Sequence, residues 1–137
     1  LGAINSLKQL FLQMLFNYMF VNQDDHSRNF SFMCDKDFKY KCTPAYDLTF
    51  AKGEKQTVEH QLSLYGKPLS LIDIDDITTL ATEFSIDLEF VAISLETMKQ
   101  LRDNKLPKLL KEYDVKPSKQ KQILEYTQKR TLQGALI

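Results

Sequence analysis

The strongest constraint on the fold is an apolar segment near the start of the chain. Apolar side chains recur at spacings of three and four over residues 4–21, which predicts a helix with one continuous apolar face. The residues on this face are Leu7, Leu10, Phe11, Met14, Leu15 and Tyr18. Phe16, Met19 and Phe20 add apolar surface elsewhere, which indicates burial on most sides. A chain of 137 residues can bury such a helix in one domain, and we predict a single domain over residues 1–137.

The composition is that of a soluble globular protein, with 43% hydrophobic and 26% charged residues. No apolar run is long enough to cross a bilayer, so no membrane partner is expected. The two cysteines, Cys34 and Cys42, are too few for a disulfide framework and indicate a reduced, cytoplasmic location. The chain begins at Leu1 without an initiator methionine, which suggests a fragment of a longer protein.

The net charge of zero conceals an uneven distribution of charge along the chain. Residues 1–98 carry 8 basic and 14 acidic side chains, whereas residues 99–130 carry 10 basic and 4 acidic ones. A solvated basic helical face is the favoured interpretation of the second segment. A nucleic-acid patch is less favoured because few aromatic residues are interleaved for stacking, so we expect no direct nucleic-acid partner.

Two segments that alternate in period two, "FSFMC" at 30–34 and "FKYKCT" at 38–43, predict a β-hairpin that ends before Pro44. Phe30, Phe32 and Cys34 are expected on one face, with Phe38, Tyr40 and Cys42 as their cross-strand neighbours. Two shorter extended segments follow in residues 60–71 and meet at Gly66-Lys67.

The pattern from Asp73 onward is helical. Asp73 and Asp87 are predicted N-caps of two helices, and Pro107 starts a shorter one. Leu101 is expected to face inward on the second helix. A last basic helix follows Pro117 and is expected to contain Ile123, Leu124 and Leu132. The predicted fold class is mainly α with small β-hairpins, with a helical remainder over residues 73–134.

The stretch "NQDDHSRNFSF" at 22–32 concentrates side chains that can bind a metal or move a proton. Asp24 and Asn29 are five residues apart in a loop between the first helix and the hairpin, and Asp47 follows the second strand in "PAYDL". A helix, a loop, a hairpin and a second loop can bring both loops to one end of the hairpin. Mg²⁺ prefers such oxygen ligands, and a remaining carboxylate can accept the proton of a hydroxyl nucleophile. This is the layout of kinase-type phosphoryl transfer.

The segments "NQDDHSRNFSF", "CTPAYDLT" and "HQLSLYGK" closely resemble the HipA-like toxin kinases over about residues 5–100. The resemblance implies that Asp24 is the catalytic aspartate, that Asn29 is a metal ligand and that Asp47 binds magnesium. It also implies the C-terminal lobe of a protein-kinase-like fold, with ATP and Mg²⁺ as cofactors. The implied function is that of a serine/threonine kinase in a toxin–antitoxin pair. Its implied partners are an antitoxin of the HipB type and a protein substrate, which is an aminoacyl-tRNA synthetase in the best-known members.

The residues around this pattern have other expected roles. His26 either contacts the transferred phosphate or orders the loop through backbone hydrogen bonds. Asp25 is expected to face solvent or to cap the loop, and His60 is expected to pack in the following hairpin. Four aromatic residues are expected to form the core under the site, namely Phe30, Phe32, Tyr46 and Phe50.

A complete kinase also needs a glycine-rich phosphate cover and an N-lobe Lys–Glu pair. The four glycines of this chain are scattered and form no such loop, so we expect a C-lobe that is nearly inert without a missing or separate N-lobe. A catalytically inactive docking or antitoxin-interaction module is an alternative. A metal-dependent phosphohydrolase is a weaker alternative, because enzymes built on His–Asp clusters need several histidines and this chain has two.

Overall fold

The computed structural model describes residues 3–132 and residue 134, so residues 1, 2, 133 and 135–137 of the predicted domain lie outside the described residues. The helices in the described range are α1 (Ala3–Met19), α2 (Ile74–Glu83), α3 (Leu88–Gln100), α4 (Leu106–Glu112) and α5 (Pro117–Gln128). The strands are β1 (Phe32–Cys34), β2 (Tyr40–Cys42), β3 (Ser63–Leu64) and β4 (Lys67–Pro68), which pair as two antiparallel hairpins. The prediction of a mainly helical fold with small hairpins is confirmed. No helix within the described residues is long and apolar enough to cross a membrane.

The hydrophobic core is built around α1. Its buried side chains pack with apolar side chains from α2 and α3 and from the segment before α2. The central members are Phe11, Leu15, Tyr18, Met19, Ile72, Ile77, Ala81, Val91 and Leu95. The predicted burial of α1 is therefore confirmed, and the loop that leaves its C-terminal end starts from the centre of the domain.

The two predicted N-caps are confirmed. The Asp73 carboxylate accepts a hydrogen bond from the Asp76 N–H, and the Asp76 carboxylate accepts one from the Asp73 N–H, both at 3.0 Å. This reciprocal pair is a capping box that satisfies free N–H groups at the start of α2. At the start of α3, the Asp87 carboxylate accepts from the Glu89 N–H at 3.1 Å.

The first hairpin forms as predicted but with shorter strands, in which Phe32 lies opposite Cys42 and Cys34 opposite Tyr40. The prediction that Phe38 is a cross-strand neighbour is wrong, because Phe38 lies in the turn with a left-handed backbone (φ 57°). The prediction that Phe32 and Tyr46 are core residues is wrong, because their exposed fractions are 58% and 39%. The hairpin contacts α1 through β2, where the Cys42 N–H donates to the Ser6 hydroxyl, and all of β1 is exposed. Because the hairpin packs on α1 through β2, the aromatic side chain on β1 stays uncovered.

Two predictions about the C-terminal helices are also wrong. Leu101 is 39% exposed, because a π-helical turn at Leu101–Lys105 replaces regular α-helix after α3 and changes which residues face inward. Leu132 lies beyond the end of α5 at Gln128. It is nevertheless buried, and its N–H donates to the Tyr18 hydroxyl at 3.2 Å, so the chain after α5 returns to the core.

Three helices end in the same way, with a residue in the left-handed conformation that is not glycine. In each case the next N–H bonds back to the carbonyl five residues earlier, as in a Schellman motif. The left-handed residues are Val21 (φ 57°), Ser85 (φ 55°) and Asp114 (φ 52°). The backbone bonds are Asn22 N–H to Asn17 O, Ile86 N–H to Ala81 O and Val115 N–H to Leu110 O, at 2.7–3.0 Å.

Replacing Ser85 by glycine is expected to raise the free energy of unfolding by about 0.5–1 kcal/mol. The left-handed conformation costs a residue with a Cβ about 1–2 kcal/mol, and the entropy of glycine in the unfolded chain offsets part of the gain. The Ser85 side chain is exposed, so no core packing is lost. Urea unfolding of both proteins would measure the difference.

Ala92→Gly is the matched control for this prediction. Ala92 is exposed in the interior of α3, where glycine should lower stability by about 1 kcal/mol. A Ser85→Gly protein destabilised as much as Ala92→Gly would contradict the strain assigned to Ser85.

Candidate active site

The loop after α1 is attached to the core at its first residues. Beyond the left-handed turn at Val21, the Gln23 N–H donates to Ala51 O at 2.9 Å, and the Ala51 N–H donates to Val21 O at 3.0 Å. Asn22 forms a parallel bridge with Ala51, and its side-chain amide donates to the Asn17 side chain at 3.0 Å. The segments that precede Asp24 and follow Asp47 therefore run side by side.

Asp24 and Asn29 are brought together by a short 3-10 turn at Ser27–Asn29. The Asn29 side-chain amide donates to the backbone oxygen of Asp24 at 3.0 Å, and the Asn29 N–H donates to His26 O at 3.0 Å. The hydrogen bond from the side-chain amide fixes the orientation of the Asn29 side chain and leaves its side-chain oxygen for another partner. The five-residue spacing is therefore the length of a loop that the hydrogen bond from Asn29 to Asp24 closes.

The Asp24 carboxylate is held by no hydrogen bond at its Oδ1 atom, which is buried although the side chain as a whole is 29% exposed. The His26 ring lies beside it, with Nε2 3.9 Å from Asp24 Oδ1. This distance is too long for a hydrogen bond. The two side chains are therefore neighbours, but Asp24 Oδ1 and His26 Nδ1 have no hydrogen-bond partner.

Asp47 lies in an exposed loop and has a left-handed backbone (φ 55°), a conformation that aspartate tolerates better than most residues. The residue before it connects this loop to the first one. The Tyr46 hydroxyl donates to Arg28 O at 2.8 Å and lies 2.6 Å from the Ser31 hydroxyl. Tyr46 precedes Asp47, and Arg28 precedes Asn29. The hydrogen bond between Tyr46 and Arg28 therefore connects the two loops at positions adjacent to both predicted metal ligands.

The Asp47 loop is held on its other side by aromatic and cationic contacts. The rings of Phe50 and Tyr126 have centroids 6.4 Å apart, and the Lys119 ammonium lies 4.9 Å from the Phe50 centroid. Within the described residues, no group of three or more His, Cys, Asp or Glu side chains is arranged to hold a metal ion. The predicted pair contains one such residue, Asp47, and an asparagine, so its role as a magnesium site stays a prediction.

The prediction that Asp25 faces solvent or caps the loop is wrong. Asp25 is 1% exposed, and its carboxylate oxygens contact His60 Nδ1 at 3.0 Å and the Gln61 N–H at 2.7 Å. His60 is buried just before β3, which agrees with its predicted packing, but its carboxylate partner was not predicted. Gln23 and Asp25 are buried, whereas the Asp24 side chain between them is partly exposed. The five-residue spacing to Asn29 is the sequence signal that separates Asp24 from Asp25, whereas the burial of Asp25 depends on the distant residues His60 and Gln61.

Unpaired buried polar atoms are concentrated around this loop. In the described part of the chain, the buried side-chain atoms without a hydrogen-bond partner are Asn22 Oδ1, Asp24 Oδ1, His26 Nδ1 and His60 Nε2. Buried polar atoms are nearly always paired in folded proteins, and unpaired ones cluster where a site has a chemical task. The loop at residues 22–26 is therefore the strongest candidate for an active site.

A comparison with protein families finds one family that spans most of the chain. The model of the family described as HipA-like C-terminal domain matches residues 2–130. The chain belongs to the HipA-like C-terminal domain family. The match extends beyond residues 5–100, so the C-terminal helices are part of the HipA-like domain as well. No curated protein and no solved structure matched this chain.

Removing the Tyr46 hydroxyl should loosen the connection between the two loops of this HipA-like domain. We expect Tyr46→Phe to lower the free energy of unfolding by about 0.5–1 kcal/mol, the usual net contribution of a hydrogen bond. We also expect faster hydrogen exchange at the Asn29 and Phe30 amides, which lie in the turn that Tyr46 holds. Tyr113→Phe is the control, because Tyr113 is 73% exposed after α4. Equal effects of the two substitutions would contradict a specific role of Tyr46.

Proposed function

We propose that this chain is the C-terminal lobe of a HipA-like serine/threonine protein kinase. The kinase transfers the γ-phosphate of ATP to a protein hydroxyl group. Membership of the HipA-like family supports the proposal. The observation that carries it is Asp24, whose carboxylate oxygen Oδ1 has no hydrogen bond while its backbone oxygen is held by Asn29. A general base needs a free carboxylate oxygen on a fixed backbone, and Asp24 meets both requirements.

In the proposed reaction, Asp24 orients the hydroxyl group of the substrate and accepts its proton. The substrate oxygen forms a bond to the γ-phosphorus, and the bond between that phosphorus and the leaving ADP oxygen breaks. The proton stays on the Asp24 carboxylate until it passes to solvent. The side chain as a whole is 29% exposed, although Oδ1 itself is buried, so substrate and solvent approach the carboxylate from its exposed side.

We propose Asn29 and Asp47 as the residues that hold Mg²⁺ with the nucleotide. One amide oxygen and one carboxylate, completed by phosphate oxygens and water, make a set that Mg²⁺ commonly accepts. The bond from the Tyr46 hydroxyl to Arg28 O supports the pairing, because it joins the residues that precede the two ligands. When bound, the ion would neutralise charge that develops on the phosphate oxygens.

His26 is the proposed contact to the transferred phosphate. Its ring lies 3.9 Å from Asp24 Oδ1, so a group held by Asp24 is within reach of the ring. The alternative role predicted from the sequence, ordering of the loop, has support as well, since His26 O accepts the Asn29 N–H. The two roles use different atoms and are compatible.

The phosphohydrolase alternative is disfavoured by the position of His60. Its side chain is 0% exposed and bonded to Asp25, so His26 is the histidine left at the rim of the loop. Enzymes that bind metals through His–Asp clusters need more ligands than this. The intact Asp24, Asn29 and Asp47 argue against the inactive docking module.

The partners of the kinase are proposals on the same basis. An N-lobe would supply the phosphate cover and the Lys–Glu pair that these 137 residues lack. The family resemblance suggests a cytoplasmic toxin with an antitoxin of the HipB type. It also suggests a protein substrate such as an aminoacyl-tRNA synthetase.

Asp24→Asn tests the proposed base in the chain assembled with its N-lobe. The fold and the ATP affinity should be retained, because Asp24 Oδ1 has no hydrogen bond to lose and Asn29 and Asp47 are untouched. Phosphate transfer to a protein substrate should fall by about 10²–10⁴-fold, the range for loss of a positioned base. Asp37→Asn, in the exposed turn of the first hairpin, is the control and should transfer phosphate normally. Full transfer by Asp24→Asn would contradict the assignment.

Asp47→Asn should have a different signature, because it removes a negative charge from the proposed magnesium site. ATP binding in the presence of Mg²⁺ should weaken together with turnover, whereas binding without Mg²⁺ should change little. Calorimetric titration with ATP in both conditions measures the difference. An Asp47→Asn protein with unchanged magnesium-dependent binding would show that the ion is held elsewhere.

A further inference from the structure

Asp24 lies between two buried residues that are held by distant parts of the chain. Gln23 and Asp25 are each 1% exposed, whereas the Asp24 side chain is 29% exposed. The residues that hold them come mainly from Ala51 to Gln61, hereafter the 51–61 segment. This segment begins four residues after Asp47 and ends before β3.

Asp25 is bonded to the end of the 51–61 segment at both of its carboxylate oxygens. Oδ1 accepts the Gln61 N–H at 2.7 Å, and Oδ2 lies 3.0 Å from His60 Nδ1. An ionised carboxylate can only accept, so Nδ1 then carries the proton of this bond. Burial of a carboxylate is costly without such partners, and loss of one partner leaves the remaining group unpaired.

Gln23 forms hydrogen bonds with two other residues of the 51–61 segment. Its backbone N–H donates to Ala51 O and its side-chain amide donates to Thr57 O, both at 2.9 Å. Its side-chain oxygen accepts from the buried Arg130 guanidinium at 3.1 Å. Both the nitrogen and the oxygen of the Gln23 side-chain amide are therefore hydrogen-bonded.

We propose that the 51–61 segment positions the catalytic base, with Gln23 and Asp25 as positioning residues on either side of Asp24. Because these residues fix the backbone before and after Asp24, they set where its carboxylate points. The segment also begins only four residues after Asp47, so it relates the proposed base to the proposed magnesium ligand. This inference rests on the proposed kinase function. An error of about 1 Å in such a position can lower a rate by about 100-fold.

His60→Phe tests the proposal in the chain assembled with its N-lobe. Phenylalanine fills similar space but donates no hydrogen bond, so Asp25 Oδ2 is left unpaired. The turnover number should fall about 10- to 100-fold, while the KM for ATP should change less than about threefold, because the nucleotide ligands are not moved. Hydrogen exchange at the Gln61 amide should become faster.

His60→Asn is the conservative variant, because its side-chain amide places an N–H donor near the position of Nδ1. It should restore most of the turnover and most of the protection at Gln61. Val58→Asn, at a position in the same segment that is 62% exposed, should change neither measurement. If His60→Phe does not fold, Gln23→Met tests the other side of Asp24 with a side chain of similar size and the same expected loss of turnover.

Two results would overturn the proposal, and they differ from a failure of the kinase function. Normal turnover in a folded His60→Phe or Gln23→Met protein would show that the contacts are structural and do not position the base. Unchanged exchange at Gln61 in His60→Phe would show that the Asp25 contact does not hold the segment. A wild-type protein that transfers no phosphate would overturn the kinase function and the positioning role together.

Discussion

At the end of α1, the backbone of Val21 adopts a left-handed conformation although its side chain is β-branched and fully buried. Such a residue is unusual there, and the turn is held by backbone bonds on both sides. The Asn22 N–H returns to Asn17 O, and Val21 O accepts the Ala51 N–H. This turn ends α1 inside the domain and places residues 22 and 23 beside Ala51, in the chain that follows Asp47. The candidate active site depends on the turn, because the loop with Asp24 starts from it and the chain after Asp47 is bonded to it at Ala51.

The site is unusual in how its buried polar groups are satisfied. Asp25 and Gln23 are fully paired, whereas Asp24 Oδ1 and His26 Nδ1 have no partner in the described part of the chain. An unpaired buried polar atom costs roughly 1–3 kcal/mol, so a stable core elsewhere must offset it. Burial also lowers the pKa of the Arg130 guanidinium, although the facing Tyr18 and Glu59 groups raise it. Arg130 thus belongs to the buried network and not to the solvated basic face expected for residues 99–130.

The parts of the fold that could be predicted are those decided by local sequence. The apolar periodicity of α1, the caps at Asp73 and Asp87 and the pairing of Phe32 with Cys42 depend on neighbours along the chain or across one turn. The errors concern burial, which depends on distant segments. Asp24 and Asp25 are adjacent and chemically identical, and only residues 60 and 61 decide which of them is buried. The burial of Leu132 likewise depends on a distant residue, since its N–H donates to the hydroxyl of Tyr18, which lies 114 residues earlier in the chain.

The central claim is that Asp24 is the base and that Asn29 and Asp47 hold the metal. The most direct test is a crystal structure of the chain with its N-lobe, Mg²⁺ and an ATP analogue that cannot transfer its phosphate. We expect an Asn29 oxygen and an Asp47 carboxylate oxygen at about 2.0–2.2 Å from the ion. We also expect the Asp24 carboxylate to lie outside the coordination sphere and to face the γ-phosphate. A magnesium ion bound by Asp24, or one that contacts neither Asn29 nor Asp47, would contradict it.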